Sequence, residues 1–283
     1  MSAAPAGTRG EPTGGGRPSG SIRPFASLGR EDVGIAGGKG ANLGELSAAG
    51  LPVPPGFVIG APAYAAFCDE GGLRSRIESL CAIDVEDTAE LTRAAEEIRL
   101  TIESEPIPGW LEDAICAAYL DLAEGEESPA VAVRSSATAE DTASASFAGM
   151  NETLLNVRGT VSLLDAVRRC WSSLFGARTI YYRAQKGFSQ ADMDIAVVVQ
   201  RQIDATRAGV MFTIDPSTGA SDRLVIEAAF GLGESVVSGS VSPDRYVIGK
   251  EPLAIERREV HRKEIEVIPA ANAGTLTRAL APA

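Results

Sequence analysis

Arg134 ends an apolar run, "VAV", and opens a stretch that reads "RSSATAEDTASASFAG". A guanidinium at a strand end is well held, and its planar fork of donors matches phosphate oxygens. The twelve residues that follow, Ser135 to Ser146, hold six hydroxyl side chains and four alanines. Such a segment has little to bury. It can close over a polyphosphate without steric cost and exclude water before phosphoryl transfer. Gly149 supplies a hinge, and Thr153 lies on the returning strand. The plainer alternative is a surface arginine followed by a linker.

Three further stretches could do chemistry. "GGKGAN", Gly37 to Asn42, leads into a helix. Its glycines would let the backbone approach an anion at free N–H groups, with Lys39 as a point charge. The spacing is not that of a P-loop, and a glycine turn before a helix with a solvated lysine is the alternative. Gln200 ends the apolar run "AVVVQ", where a buried amide must find partners and either pairs with backbone or reads a base or ribose. "FGLGESVVSG", Phe230 to Gly239, is either a loop-to-helix turn or a second wall of a cleft, with Glu234 in it. His261 is the single histidine, in the charged context "EVHRKEI". One histidine leaves no hydrolase triad and no histidine-based metal site.

These residues must be positioned by a chain of 283 residues with a net charge of −12. That charge argues against a general nucleic-acid or anionic-membrane surface, so any anion site is local. Cys68, Cys81, Cys116 and Cys170 form no CxxC pair and read as buried thiols in a reducing compartment. No apolar run approaches the roughly 18 residues that would span a membrane, and a cytoplasmic protein is expected. Residues 1–22, rich in Gly, Pro, Ala and Ser, read as a disordered tail rather than a signal peptide.

Periodicity organises the rest. Lys39 to Ala49 reads as a short helix, Phe57 to Ile59 as a strand, and residues 87–104 and 109–124 as amphipathic helices. Val161 to Lys186 reads as one long helix with Ser162 and Asp165 as a capping box. After about residue 190 the chain turns β-rich: "DIAVVVQRQI", "AGVMFTI", "RLVIEAAF", "DRYVIG" and "LAIERREV". The fold class is therefore α+β. A helix-rich part spans 23–190, with the lid loop at 134–149, and a sheet-rich part spans 191–283. No strand is expected in "AANAGTLTRALAPA".

Taken together, "GGKGANLGEL…GLPVPPGFVI", "VRSSATAED…ASFAGMNETLLNV", "AVRRCWSSLF" and "GVMFTIDPSTG…VIEAAFGLGESVVSG…SPDRYVI" resemble the ATP-binding part of the pyruvate, phosphate dikinase and phosphoenolpyruvate synthase family. Rifampicin phosphotransferase shares this module. The likeness covers residues 24–265. It implies an ATP-grasp fold with nucleotide between two subdomains. It also implies a dikinase, in which ATP gives its β-phosphate to a histidine on a separate swivelling domain and leaves AMP. By this resemblance Lys39 and Arg134 fall on the family's phosphate-binding, catalytic positions. Gly149, Thr153 and Gln200 fall on nucleotide-contacting ones.

The chain also departs from the family's pattern. Thr142 and Ala143 replace a common Leu-Pro, and Met150 a common Gln. The strand bearing the family's magnesium-ligating glutamate and its Gln-Ser-Arg-Pro segment has no counterpart before Ala283. Nor do the phosphohistidine motif and the pyruvate-binding barrel. The resemblance thus implies ATP and Mg2+, with metal ligands mostly outside this chain. It implies a histidine domain and an acceptor domain on a separate chain or missing, and no turnover by this chain alone. The ATP-binding part of a rifampicin-type antibiotic phosphotransferase and a non-catalytic nucleotide-binding remnant are the alternatives.

Overall fold

The computed structural model describes residues 18–138 and 152–280. Most of the expected tail, the greater part of the expected lid, and Gly149 with it, lie outside the described residues. In chain order the elements are β1 (Ile22–Pro24), α1 (Val33–Ala48), β2 (Gly56–Ile59), α2 (Ala61–Glu70), α3 (Leu73–Leu80), α4 (Thr88–Ser104) and α5 (Gly109–Asp121). Then come β3 (Val131–Ala137), β4 (Thr153–Val157), α6 (Thr160–Ser172), α7 (Ala177–Lys186), β5 (Ile195–Arg201), β6 (Arg207–Phe212) and β7 (Arg223–Phe230). The chain closes with α8 (Glu234–Val237), β8 (Asp244–Lys250), β9 (Leu253–Glu259), β10 (Ile265–Pro269) and β11 (Thr275–Ala279). Helix and sheet are mixed, as expected.

The apolar run of β5 explains the first sheet. A strand with no polar alternation must be covered on both faces, and β5 is central in the antiparallel order β1-β2-β5-β3-β4. Ile195, Val197 and Val199 join Val131, Val133, Phe57 and Ile59 in the main core. Helices α2 to α7 supply most of the rest of that core, with the Trp171 ring stacked 4.5 Å from Phe67 and tilted 5.8 Å from Tyr64. Ala196 and Val198 point the other way, onto Val58 and Ala36 beneath α1. Because side chains alternate along a strand, Ala132, Arg134 and Ser136 share this α1-side face of β3.

The glycines of "GGKGAN" let α1 lie on the sheet. Gly37 has φ +66°, and a Cβ there would sit 2.2 Å from Ser136 Oγ. A Cβ on Gly40 would sit 2.9 Å from Val58 Cγ2. The helix starts earlier than the expected Lys39 because Val33 to Ala36 form a turn before the Gly37 kink.

The expected single helix over Val161 to Lys186 is broken. Gly176 is extended at ψ 150°, after a short 3-10 turn that buries Leu174 and Phe175. The Ser162–Asp165 capping box is not formed either: Gly159 occupies the N-cap position of α6 and no side chain caps it. By contrast, Asp87 caps α4, its Oδ1 accepting from Ala89 N at 2.8 Å and Glu90 N at 3.1 Å.

The strand β5, which opens the β-rich part after residue 190, belongs to the first sheet, and the sheet changes between Arg201 and Arg207. The second sheet is an antiparallel meander, β6-β7-β8-β9. β10 and β11 form a hairpin that meets it where Gly231 bridges Val267 in parallel. Thus the last stretch does carry a strand, Thr275–Ala279, although none is expected there. Its Thr-Leu-Thr-Arg alternation is short and largely exposed, and pairing with β10 makes it a strand.

Candidate functional site: a nucleotide-sized pocket between the sheets

Arg134 is seated by hydroxyl groups around it. Ser135 N donates to Glu152 O at 3.0 Å, and Glu152 N donates to Ser135 Oγ at 2.9 Å. Ser136 Oγ donates to Ala36 O at 2.9 Å, which ties β3 to α1. Ser135 and Ser136 are almost fully buried. The first four residues of the 134–149 stretch are therefore strand, and their hydroxyls do structural work.

In register, Arg134 pairs with Thr153 on one side and Val198 on the other. Arg134 and Thr153 line a cavity of about 400 Å³ together with Ala132, Leu155 and Gln202. Its opposite wall is the turn into α8: Leu232, Gly233, Glu234, Val237 and Ser238. The "FGLGESVVSG" stretch thus forms a second wall of the cleft. That turn is pinned from behind, with Leu232 N donating to Val267 O at 2.7 Å and Ser235 Oγ to Leu232 O at 3.2 Å. The volume falls in the range of small-molecule sites, and the walls mix apolar side chains with a few polar groups, as such sites do.

The other sequence-derived residues stand apart from this lining. Lys39 lies half-buried on α1, beside the Gly37–Ser136 contact, two residues along β3 from Arg134. Gln200 is on the same face as Arg134, paired with Ala132, but its Nε2 donates to Pro54 O at 3.1 Å. Gln202, two residues on, lines the cavity instead, and its Oε1 accepts from Asn156 N at 2.6 Å. Sequence reasoning passed over Gln202 because it lies just beyond the apolar run. The repeat "QRQ" at period two was the available signal.

Thiol chemistry finds no activated group here. Burial pushes Cys68 and Cys81 up to about 11 and Cys170 higher still. At Cys170, Glu152 adds to the rise, while Arg169 and Lys39 oppose it. All four cysteines are unpaired. His261 is exposed, its Nδ1 2.9 Å from Pro243 O at the β8–β9 margin and remote in register from Arg134. No cluster of three or more metal-ligating side chains occurs among the described residues, and no described helix is long and apolar enough to cross a membrane.

Comparison with known proteins gives this geometry a context. Residues 33–282 match the family described as pyruvate phosphate dikinase, AMP/ATP-binding domain. A probable phosphoenolpyruvate synthase of Methanothermobacter thermautotrophicus is 53% identical over 229 residues, 80% of this chain and 33% of that protein. One from Methanocaldococcus jannaschii is 52% identical over 84% of this chain and 20% of its own length. The phosphoenolpyruvate synthase of Pyrococcus furiosus is 38% identical over 90% of this chain and 36% of its own length. This chain therefore spans 20% to 36% of the length of these three relatives. Their names give no support to the rifampicin-type alternative. The chain belongs to the pyruvate phosphate dikinase AMP/ATP-binding domain family.

Proposed function

We propose that this chain is the ATP-binding portion of a phosphoenolpyruvate synthase-like dikinase, with the nucleotide seated between the β3–β4 margin and the turn into α8. The observation that carries this reading is the pairing of Arg134 with Thr153 on one wall of a 400 Å³ cavity that faces α8. In the whole reaction, ATP, pyruvate and water become AMP, phosphoenolpyruvate and phosphate. The transferred group passes through a phosphohistidine carried on another domain or chain.

Each wall has a task in this reading. The Arg134 guanidinium takes phosphate oxygens through its fork, and the Thr153 hydroxyl donates beside it. Leu155, Leu232 and Val237 provide apolar area for the base. Lys39 adds positive charge toward the phosphates from the α1 side. Gln200 belongs with the nucleotide-contacting set. The arrangement is that of an ATP-grasp protein of two subdomains, divided near residue 190 in the sequence. β5 lies past that point in the sequence but pairs with the strands of the first of them.

The described residues do not fit a resident magnesium site, since they contain no cluster of metal-ligating side chains. Mg2+ would come to this chain as part of the substrate, together with ATP. A reducing, cytoplasmic setting goes with four unpaired cysteines.

Calorimetric titration of ATP into the full chain tests the reading, with Arg134→Ala beside it. Losing a hydrogen-bonded charge from a phosphate is expected to weaken binding about tenfold or more. Equal affinities would remove Arg134 from the site. A second assay adds a polypeptide that carries the phosphohistidine segment and follows AMP. Binding with no AMP formed under those conditions would favour a non-catalytic nucleotide-binding module.

A further inference from the structure

Lys39 sits on the second part of α1, and that part has an unusual start. Gly37, at φ +66° and ψ 171°, breaks the helix, so the second part begins at Gly38, with Lys39 next and Gly40 after it. The first N–H groups of a helix have no partner within it. The residue before the first turn usually supplies an acceptor from its own side chain, taking the second or third N–H. Gly37 has no side chain to offer, and none fits there. A Cβ would lie 2.2 Å from Ser136 Oγ and 2.4 Å from Ser136 O.

The acceptor comes from β3 instead. Gly40 N donates to Ser136 Oγ at 3.4 Å, and Ser136 Oγ donates to Ala36 O at 2.9 Å. One hydroxyl thus holds both sides of the break, the carbonyl just before Gly37 and the third N–H after it. Ser136, Ala36, Gly38 and Gly40 are buried around half-buried Lys39. A buried backbone group that loses its partner there is costly. Ser136 is also two residues along the strand from Arg134, and such residues share a face. The strand that carries Arg134 therefore also carries the cap for the helix of Lys39.

We propose that Ser136 is a positioning residue for Lys39: it caps the lysine's helix from β3 and fixes its distance from Arg134, so that both cations meet one polyphosphate. This rests on reading Lys39 and Arg134 as phosphate-binding residues. Ser136 itself, enclosed between β3 and α1, acts only through the lysine.

The test is a double-mutant cycle on ATP affinity, measured by calorimetry on the full chain with Ser136→Ala, Lys39→Ala and both changes together. Each single change is expected to weaken binding about tenfold, the scale of coupling between residues of one network. The double variant should bind no more weakly than Lys39→Ala, because a cap that acts through the lysine then has nothing left to position. A further loss on adding Ser136→Ala to Lys39→Ala would make Ser136 a general prop of the fold and overturn the inference. Unchanged affinity in either single variant would overturn it too, while ATP binding by the unaltered chain leaves the nucleotide site intact. Ser136→Cys, which keeps a weaker donor and acceptor, replaces Ser136→Ala in the cycle if the alanine variant does not fold, and is judged by the same outcomes. Absence of ATP binding by the unaltered chain would overturn both this inference and the nucleotide reading beneath it.

Discussion

The first sheet is closed on both faces and the second is largely open. In β5, Ile195 to Val199 are buried without a break, α1 covers one face, and six helices cover the other. In β9, Leu253 to Arg258 are all exposed, and β6 alternates between exposed and half-buried. One face of the second sheet aligns Met211, Ile226, Tyr246 and Arg258 in register, with Leu224, Ile248 and Ile255 in the next row. Met211 is 58% exposed and Ile255 60%. α8 and β10 pack only near its β6–β7 side. The pocket lies where a rigid wall meets a lightly supported one. Local stability follows buried apolar contact, so the second sheet should open more readily than the first.

The largest test of this contrast is Trp171→Ala. Its ring is fully buried and stacked on Phe67, and the truncation should destabilise the chain by about 3–5 kcal/mol in denaturant unfolding. A loss below about 1 kcal/mol, small on the scale of core truncations, would mean that the helix layer is not the protein's main source of stability.

A smaller effect is expected at the seam. Asn156 is buried at φ +52°, and its Nδ2 donates to Ala270 O at 2.7 Å and Gly274 O at 2.9 Å. It therefore ties β4 to the β10–β11 hairpin. Asn156→Ala leaves two carbonyls without that donor, at about 1–3 kcal/mol. Asn156→Gly accepts the left-handed backbone but still lacks the amide, so it should behave alike. In both variants hydrogen exchange should speed up across Ile265–Ala279 and not in β5. Unchanged exchange in the hairpin would show that it stands without the strap.

The smallest change is expected at Ile255. Replacement by Thr on the exposed face should alter stability by no more than about 0.5 kcal/mol. A loss of several times that would mean the face is covered in solution.

Much of this organisation was legible in the sequence, unevenly. β5 stood out because an apolar run bounded by polar residues is what a doubly covered strand needs. α4 and α5 stood out through helical periodicity. The α6–α7 break at Gly176 was not visible, since the apolar stripe continues across it and the turn exists to seat Leu174 and Phe175. β11 was missed because its partner, not its composition, makes it a strand. The glycines of "GGKGAN" suggested a ligand approaching backbone. At Gly37 and Gly40 the close neighbours are Ser136 and Val58, so helix-on-sheet packing alone demands them. Arg134 could be singled out because it interrupts an apolar run, although β3 continues past it to Ala137. That Thr153, Gln202 and Glu234 meet around one cavity depends on strand register and on the approach of α8, neither of which is local.

The central claim is that one nucleotide touches both walls. Hydrogen exchange of the full chain with and without saturating ATP tests this most directly. Exchange should slow in two separated stretches, around Arg134 to Ala137 with Thr153 to Val157, and around Leu232 to Ser238. Protection of the first stretch alone, or of neither while ATP is demonstrably bound, would contradict a site built between the two sheets.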